Sequence, residues 1–202
     1  MVAFSGIYTK TGNRKLGGGV GTINRMPGAT CPGASTWCEQ YCYAKKGLFI
    51  FQHMRYQSQT ITIPDKLSKA VRVHAAGDFD TVEYIAWIHT VALEHPATLF
   101  WAYTRSWRVP SLVDALERLR ALPNFQLFAS VDQTIAEMPP HGWRVAYMDG
   151  DARFKGMVCL EQREDGNGAK FMPNCKACTY CFRKTRGNVA FIPHSGAEKV
   201  GA

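Results

Sequence analysis

Short apolar runs recur along the chain, and each is followed by a cluster of small or polar residues. The runs are rich in β-branched and aromatic side chains, which is typical of buried strands. They span residues 71–78, 98–106, 125–132, 143–151, 157–162 and 188–194. A further strand is expected near residues 19–25. The pattern therefore predicts about six or seven strands.

Helical patterns lie between several of these runs. In residues 80–94 apolar side chains recur at helical spacing, with Asp80 as the expected cap and Pro96 beyond the end. Residues 110–122 open on a proline and carry a leucine stripe that stops before Pro123. Alternating strands and helices predict a mainly parallel sheet. We expect an α/β fold, as a partial or complete TIM-like (β/α) barrel, with a doubly wound open sheet as the alternative.

Polar side chains follow the predicted strands, at the end where barrel enzymes place their chemistry. They are His74, Asp78, Thr104, Arg105, Ser130, Asp132, Asp149, Asp151, Glu161 and His194. Taken singly, each is more typical of a cap or a loop anchor. Because the ends of parallel strands meet at one edge of a sheet, we expect a small ligand near His74, Asp78, Arg105 and Asp132.

The late part of the chain carries three cysteines in a C-x2-C-x2-C pattern, Cys175, Cys178 and Cys181. This spacing is typical of thiolates that wrap an iron–sulfur cubane, and Cys159 is the natural fourth ligand. Zinc more often takes two C-x2-C pairs separated by a longer loop, so zinc is the less favoured alternative. Unligated thiols at this spacing would be prone to oxidation.

An earlier group, Cys31, Cys38 and Cys42, has the less regular spacing C-x6-C-x3-C. Cys38 and Cys42 share a face if they lie on a helix, and a Pro-Gly turn lets Cys31 fold back toward them. Three thiolates can hold a [4Fe–4S] cluster and leave one iron open to a substrate or cofactor. The alternative is a buried pair of thiols and a loop cysteine.

Composition and the expected cell compartment bear on the role of these cysteines. The chain has 202 residues, which suits one domain, and its net charge of +8 favours an anionic partner such as nucleic acid or a bound cluster. The N-terminus does not resemble a signal peptide, and no apolar run is long enough to cross a membrane. We therefore expect a cytoplasmic protein, where seven cysteines are better explained as metal ligands or buried thiols than as disulfides.

The chain contains, in this order and over most of its length, the segments TKTGNRK, ATCPGASTWCEQYCYAKKG, VRVHAAGDF, WAYTRSW and CKACTYC. These segments resemble the "gene product eighty-eight" family of bacteriophages and mobile elements. The resemblance implies a phage-type protein in the host cytoplasm, and it carries little established function.

The chain is more distantly similar to radical S-adenosylmethionine (SAM) enzymes. These are partial α/β barrels with three cluster cysteines after the first strand and a SAM-binding turn after the second. The resemblance implies a [4Fe–4S] cluster at Cys31, Cys38 and Cys42, and SAM near Gly77 and Asp78. The spacing departs from the usual C-x3-C-x2-C, and Asp78 stands in place of the usual glutamate.

Three functional hypotheses follow. The first is a radical SAM-type enzyme of unknown substrate, with a second cluster at the late cysteines. The second is a non-catalytic or electron-transfer iron–sulfur protein with a redox partner. The third is a basic nucleic-acid-binding protein in which a metal only stabilises the fold. SAM cleavage, one-electron redox behaviour and salt-sensitive nucleic-acid binding would distinguish them.

Overall fold

An eight-stranded sheet forms the framework of the protein, as seen in a computed structural model that describes residues 3–11, 13–45, 49–184 and 187–193. The strands are β1 (Ile7–Thr9), β2 (Val20–Asn24), β3 (Ala70–Val73), β4 (Leu99–Thr104), β5 (Phe125–Ser130), β6 (Arg144–Met148), β7 (Gly156–Val158) and β8 (Asn188–Phe191). The α-helices are α1 (Thr36–Tyr41), α2 (Phe49–Ser58), α3 (Val82–Glu94), α4 (Pro110–Ala121) and α5 (Cys175–Cys178). Short 3-10 turns cover Tyr43–Lys45, Ser106–Arg108 and Tyr180–Phe182.

The strand order is β1-β2-β3-β4-β5-β6-β8-β7, and all neighbours are parallel except β1 and β2. The predicted α/β class and mainly parallel sheet are therefore confirmed. The sheet has β1 at one edge and β7 at the other, so the described strands do not close into a complete barrel. From β2 to β6, neighbouring strands follow one another in chain order. In a doubly wound sheet, the strand order reverses near the centre.

One face of the sheet packs against α3 and α4. Alternate side chains of a strand point to opposite faces, so Phe100 and Ala102 of β4 face the helices. Phe100 stacks on Phe125 of the next strand, with ring centroids 5.9 Å apart. The apolar stripe of α4, which includes Leu116 and Leu119, completes this layer. This layer is the larger part of the hydrophobic core.

Within the described part of the chain, α3 and α4 lie on one face only, and the opposite face is called here the helix-free face. The segment that carries the late cysteines, with the four-residue α5, covers it. Trp101 of β4 points to this face and packs against Phe182, with ring centroids 5.0 Å apart. Backbone hydrogen bonds from Cys175 to Lys15 and from Lys176 to Leu16 fasten the segment to the loop before β2. The late cysteines therefore lie over this second, smaller core.

Several sequence predictions need correction. Thr81, not Asp80, caps α3 by accepting a hydrogen bond from the Tyr84 amide, and Asp80 instead pairs with Arg25. The predicted strands were too long, because residues such as 74–78 and 131–132 already belong to loops. β1 and α2 were not predicted. His194 lies outside the described residues. Among the described residues, no helix has the length and apolar character to cross a membrane.

Candidate functional site

A cavity of about 550 Å³ lies beside the helix-free face of the sheet and the loops that follow β2 and β3. All the cysteines of the chain line it: Cys31, Cys38, Cys42, Cys159, Cys175, Cys178 and Cys181. None of them forms a disulfide. The fold thus brings two groups of thiols, which are more than a hundred residues apart in the chain, to one cavity.

The early thiols are positioned by the loop after β2 and by α1. Ser35 caps α1 by accepting a hydrogen bond from the Cys38 amide (3.0 Å), and its hydroxyl donates to Asp132 (2.5 Å). The Gly28 amide donates to the sulfur of Cys31 (3.3 Å). Gly33 lies so close to Arg105 that a Cβ would meet the Arg105 carbonyl oxygen at 2.1 Å. The backbone of the loop therefore packs directly against the end of β4.

The early thiols are also near one another. Burial raises the pKa of Cys31 to about 12, and the nearby charges of Asp78, Cys38 and Cys42 add to the rise. Burial likewise raises the pKa of Cys38, while Arg105 partly offsets the effect. Cys31, Cys38 and Cys42 line the same cavity, and their role as ligands stays a prediction.

The late thiols form a second group. Cys159 directly follows β7, and its amide donates to the Ala190 carbonyl (2.8 Å). Asn174 caps the short α5 by accepting from the Ala177 amide (2.9 Å). Burial raises the pKa of Cys175 to about 11, which Cys159 and Cys178 increase further. Burial raises the pKa of Cys181 to about 12, again with contributions from Cys175 and Cys159.

Cysteine thiolates are ligands for zinc and for iron–sulfur clusters, and the two differ in how far apart the sulfurs lie. Zinc–thiolate bonds of about 2.3 Å would place the sulfurs of one zinc site about 4 Å apart. Within the described part of the chain, no three Cys, His, Asp or Glu side chains converge closely enough to hold one metal ion. In a cubane each cysteine binds a different iron, so the sulfurs lie further apart. The cavity is lined by three cysteines of the early group and four of the late group.

The four polar residues predicted to share one end of the sheet are brought together. The Asp78 carboxylate accepts from the Thr104 hydroxyl (2.6 Å) and the Arg105 amide (2.9 Å). The Arg105 guanidinium pairs with Asp132 (3.0 Å). His74, Asp78 and Arg105 line the cavity, whereas Asp132 lies behind Arg105 and supports it. Burial raises the pKa of Asp78 to about 6.

Gly77 and His74 shape the turn after β3. Gly77 has a φ of +83°, and a Cβ there would meet Thr30 Oγ1 at 2.8 Å, so only glycine fits without strain. His74 has a φ of +65°, which is unusual for a residue with a side chain. Its Nε2 lies 3.0 Å from the Tyr84 hydroxyl, but its buried Nδ1 has no partner among the described residues. Burial, with help from Arg25 and Arg72, lowers the pKa of His74 well below its usual value.

Two basic residues of the cavity were not predicted as site residues. Arg72 comes from the middle of β3, and Lys15 comes from the loop before β2. A signal for Arg72 was present, because a charged residue lay within an apolar strand otherwise suited to burial. Lys15 gave no such signal. Asp149 and Asp151, which belonged to the predicted polar rim, do not line the cavity.

Comparison with known proteins adds a family. The family model described as "Gene product 88" matches residues 61–184, which is more than half of the chain. The chain belongs to the gene product 88 family. It is also similar to the "Gene 88 protein" of Mycobacterium phage L5. The two are 28% identical over an alignment of 227 positions, which covers 91% of this chain and 90% of that protein. No solved structure matches the chain.

The segment shared with the gene product 88 family contains much of the site. It runs from before β3 to the end of the late cysteine segment, and so includes His74, Asp78, Arg105 and Asp132. It also includes Cys159, Cys175, Cys178 and Cys181. The early cysteines precede this segment. The match to the phage L5 protein covers 91% of the chain.

Proposed function

We propose that the protein binds iron–sulfur clusters at the cavity. Cys159, Cys175, Cys178 and Cys181 would hold one [4Fe–4S] cluster with four protein ligands. Cys31, Cys38 and Cys42 would hold a second cluster with three. The observation that carries the proposal is that all seven cysteines, in two groups, line the same cavity without forming a disulfide.

The charges around the thiols support this assignment. A thiolate-ligated cluster carries net negative charge, which nearby cations stabilise. The charges of Arg72 and Lys15 act to lower the pKa of Cys175, and Arg144 acts in the same way on Cys181. On the early side, the charge of Arg105 acts to lower the pKa of Cys38. Each group of thiols therefore has at least one cation within electrostatic range.

We further propose that the sheet is a partial barrel of the kind found in radical SAM enzymes. Its parallel strands follow one another from β2 to β6, and α3 and α4 pack on the same face. The early cysteine loop follows the first parallel strand, and the Gly77–Asp78 turn follows the second. These are the positions at which that superfamily holds its cluster and its SAM.

The chain's own residues would prepare the cavity for such a reaction. A cluster with three cysteine ligands supplies an iron that can bind a small molecule and exchange an electron with it. Asp78 and Arg105 fix the loops on either side of the early thiols, because each is hydrogen-bonded across the ends of two strands. Trp37, whose ring is tilted against that of Tyr41 (5.3 Å between ring centroids), lines the cavity and would limit access of water.

Anaerobic purification tests the proposal. We expect a brown protein with about four irons and four sulfides for each cluster. Incubation with SAM and a reductant should then cleave SAM if the early cluster is of the radical SAM type. Reversible one-electron titration without SAM cleavage would instead support an electron-transfer protein.

Two outcomes would contradict the iron–sulfur assignment. One is stoichiometric zinc without sulfide in protein produced with ample iron. The other is absence of both metals together with salt-sensitive binding to DNA or RNA, which would favour the nucleic-acid hypothesis. A matched pair of variants, Cys38→Ser and Cys178→Ser, should each remove about half of the iron if both groups of thiols bind clusters.

A further inference from the structure

We propose that the cavity contains a binding site for a small oxyanion-bearing molecule, a carboxylate or a phosphate, with the Arg72 guanidinium as its counter-ion. The site lies in the cavity that both groups of thiols line. It goes beyond the proposed cluster binding, with which it shares the cavity and the charge of Arg72, which also acts on Cys175.

Among the described lysines and arginines that line the cavity, Arg72 is the one without a carboxylate partner. It comes from the middle of β3, between Val71 and Val73, which face the helix layer, and therefore points to the opposite face. Its Nε is buried, and no described residue accepts a hydrogen bond from it. The guanidinium lies over the ring of Tyr103, with its central carbon 5.1 Å from the ring centroid. No carboxylate of the described residues forms an ion pair with it.

The other basic side chains of the cavity differ from Arg72 in this respect. Lys15 pairs with Glu161 (3.3 Å), and Arg105 pairs with Asp132 (3.0 Å). Each of those cations therefore has a carboxylate partner, although Lys15 shares Glu161 with Lys170. A half-buried charge without a counter-ion and a buried donor without a hydrogen bond are both unfavourable. A negatively charged occupant of the cavity would remove both costs at Arg72.

Two more buried nitrogens point to a polar occupant. Trp37 Nε1 and His74 Nδ1 belong to residues that line the cavity, and neither finds a hydrogen-bond partner in the described part of the chain. The indole N–H can only donate, so it requires an acceptor. The oxygens of an oxyanion can accept hydrogen bonds from Arg72 and from a further donor such as Trp37 Nε1. A cavity of about 550 Å³ is within the range of sites for small molecules.

The shape of the guanidinium supports the choice of oxyanion. Its parallel N–H groups match the two oxygens of a carboxylate or phosphate, and such charge-assisted pairs are stronger than neutral hydrogen bonds. Stacking on Tyr103 would hold the planar group in one orientation, so little further order is needed on binding.

Calorimetric titration of the full-length, anaerobically purified protein with inorganic phosphate and, separately, with succinate tests the site. Ionic strength is held constant in both titrations. The variants are Arg72→Gln, which removes the charge, Arg72→Lys, which keeps the charge without the fork, and Arg118→Gln. Arg118 is an exposed residue of α4, on the other side of the sheet, and serves as the matched control. Iron and sulfide are counted in every sample.

We expect at least one of the two probes to bind the wild type, and to bind Arg72→Gln at least about tenfold more weakly. The affinity of Arg72→Lys should fall between those of the wild type and Arg72→Gln, and the affinity of Arg118→Gln should equal that of the wild type. The preferred probe would show whether the site takes a phosphate or a carboxylate.

The proposal is overturned if neither probe binds, or if Arg72→Gln and Arg118→Gln weaken binding equally. It is also overturned if Arg72→Gln loses iron while anion affinity is unchanged, because the guanidinium would then act on the late thiols. Absence of iron from the wild type would refute the proposed function and leave the anion measurement intact.

Discussion

Asp132 connects three parts of the site through a single buried carboxylate. It accepts hydrogen bonds from Ser35, which caps α1, and from Thr134 in its own loop, and it pairs with Arg105 after β4. Its side chain is fully buried. Burial opposes ionisation of Asp132, but the hydrogen bonds and the guanidinium outweigh that effect and hold its pKa below the usual value. The residue therefore contributes to stability as an anion.

Substitution of Asp132 by asparagine should lower the free energy of unfolding by about 2–4 kcal/mol near pH 7, because it leaves Arg105 as a partly buried, unpaired charge. The contribution of a carboxylate with a depressed pKa is present above its unfolded pKa of about 4 and is lost as the pH falls through the folded value. The difference between variant and wild type should therefore be full at about pH 6 and shrink toward about pH 3.

Urea denaturation followed by circular dichroism at several pH values measures this effect. Asp114→Asn is the control, since Asp114 is an exposed residue of α4 whose carboxylate forms no hydrogen bond or ion pair with a described residue. An Asp132→Asn variant as stable as the wild type at pH 7 would show that the carboxylate does not hold α1 to the end of β5.

At the scale of elements, the early cysteine loop depends on a close backbone contact. Gly33 is buried, and a Cβ at this position would meet Arg105 O at 2.1 Å and Ser106 N at 2.9 Å. Both neighbouring atoms belong to the backbone, so they cannot move aside as a flexible side chain could. The glycine lets the loop that carries Cys31 approach the end of β4.

Gly33→Ala should therefore lower the free energy of unfolding by about 1–3 kcal/mol, the usual range for overpacking. It should also reduce the iron bound by the early cysteines, because the loop would no longer sit against Arg105. Gly18→Ala is the control: Gly18 is exposed, and a Cβ there would meet nothing within 4 Å. Thermal unfolding and iron content are measured for both variants. Equal results for Gly33→Ala and Gly18→Ala would contradict the prediction.

The elements that sequence predicted well are those with a strong, local pattern. α4 begins at Pro110 and ends one residue before its predicted end, because a proline marks each boundary and a leucine stripe faces the core. The central strands β4 and β5 are mostly apolar, so their pattern was also clear in the sequence. β1 did not, because it is a three-residue edge strand whose side chains are only half-buried.

The site was partly predictable for a similar reason. Parallel strand ends share one edge, so the proximity of His74, Asp78, Arg105 and Asp132 followed from the topology. The cap of α3 was misassigned because Asp80 and Thr81 are both good cap residues, and only the tertiary pairing of Asp80 with Arg25 decides between them. That both groups of cysteines share one cavity could not be predicted, since it depends on the late segment folding back over the sheet.

At the scale of the whole molecule, the two groups of thiols have different structural surroundings. The early group lies on a loop beside the ends of the strands. The late group belongs to the segment that covers the helix-free face, where Phe182 packs on Trp101. Arg144 of β6 donates to the carbonyls of Tyr180 and Cys181 and so ties this segment to the sheet. Metal at the late group would therefore stabilise a part of the core.

Cys178→Ser should consequently lower the unfolding temperature of the anaerobically purified protein more than Cys38→Ser does. Where ligands bind metal only in the folded state, the free energy of metal binding adds to the free energy of folding. Loss of the late cluster would release α5 and expose the apolar surface beneath Phe182, whereas loss of the early cluster would leave both core layers covered. Removing iron from the wild type with a chelator should produce a loss of similar size to Cys178→Ser. Equal unfolding temperatures for the two variants, or a wild type unaffected by chelation, would show that the late thiols contribute to stability by packing alone.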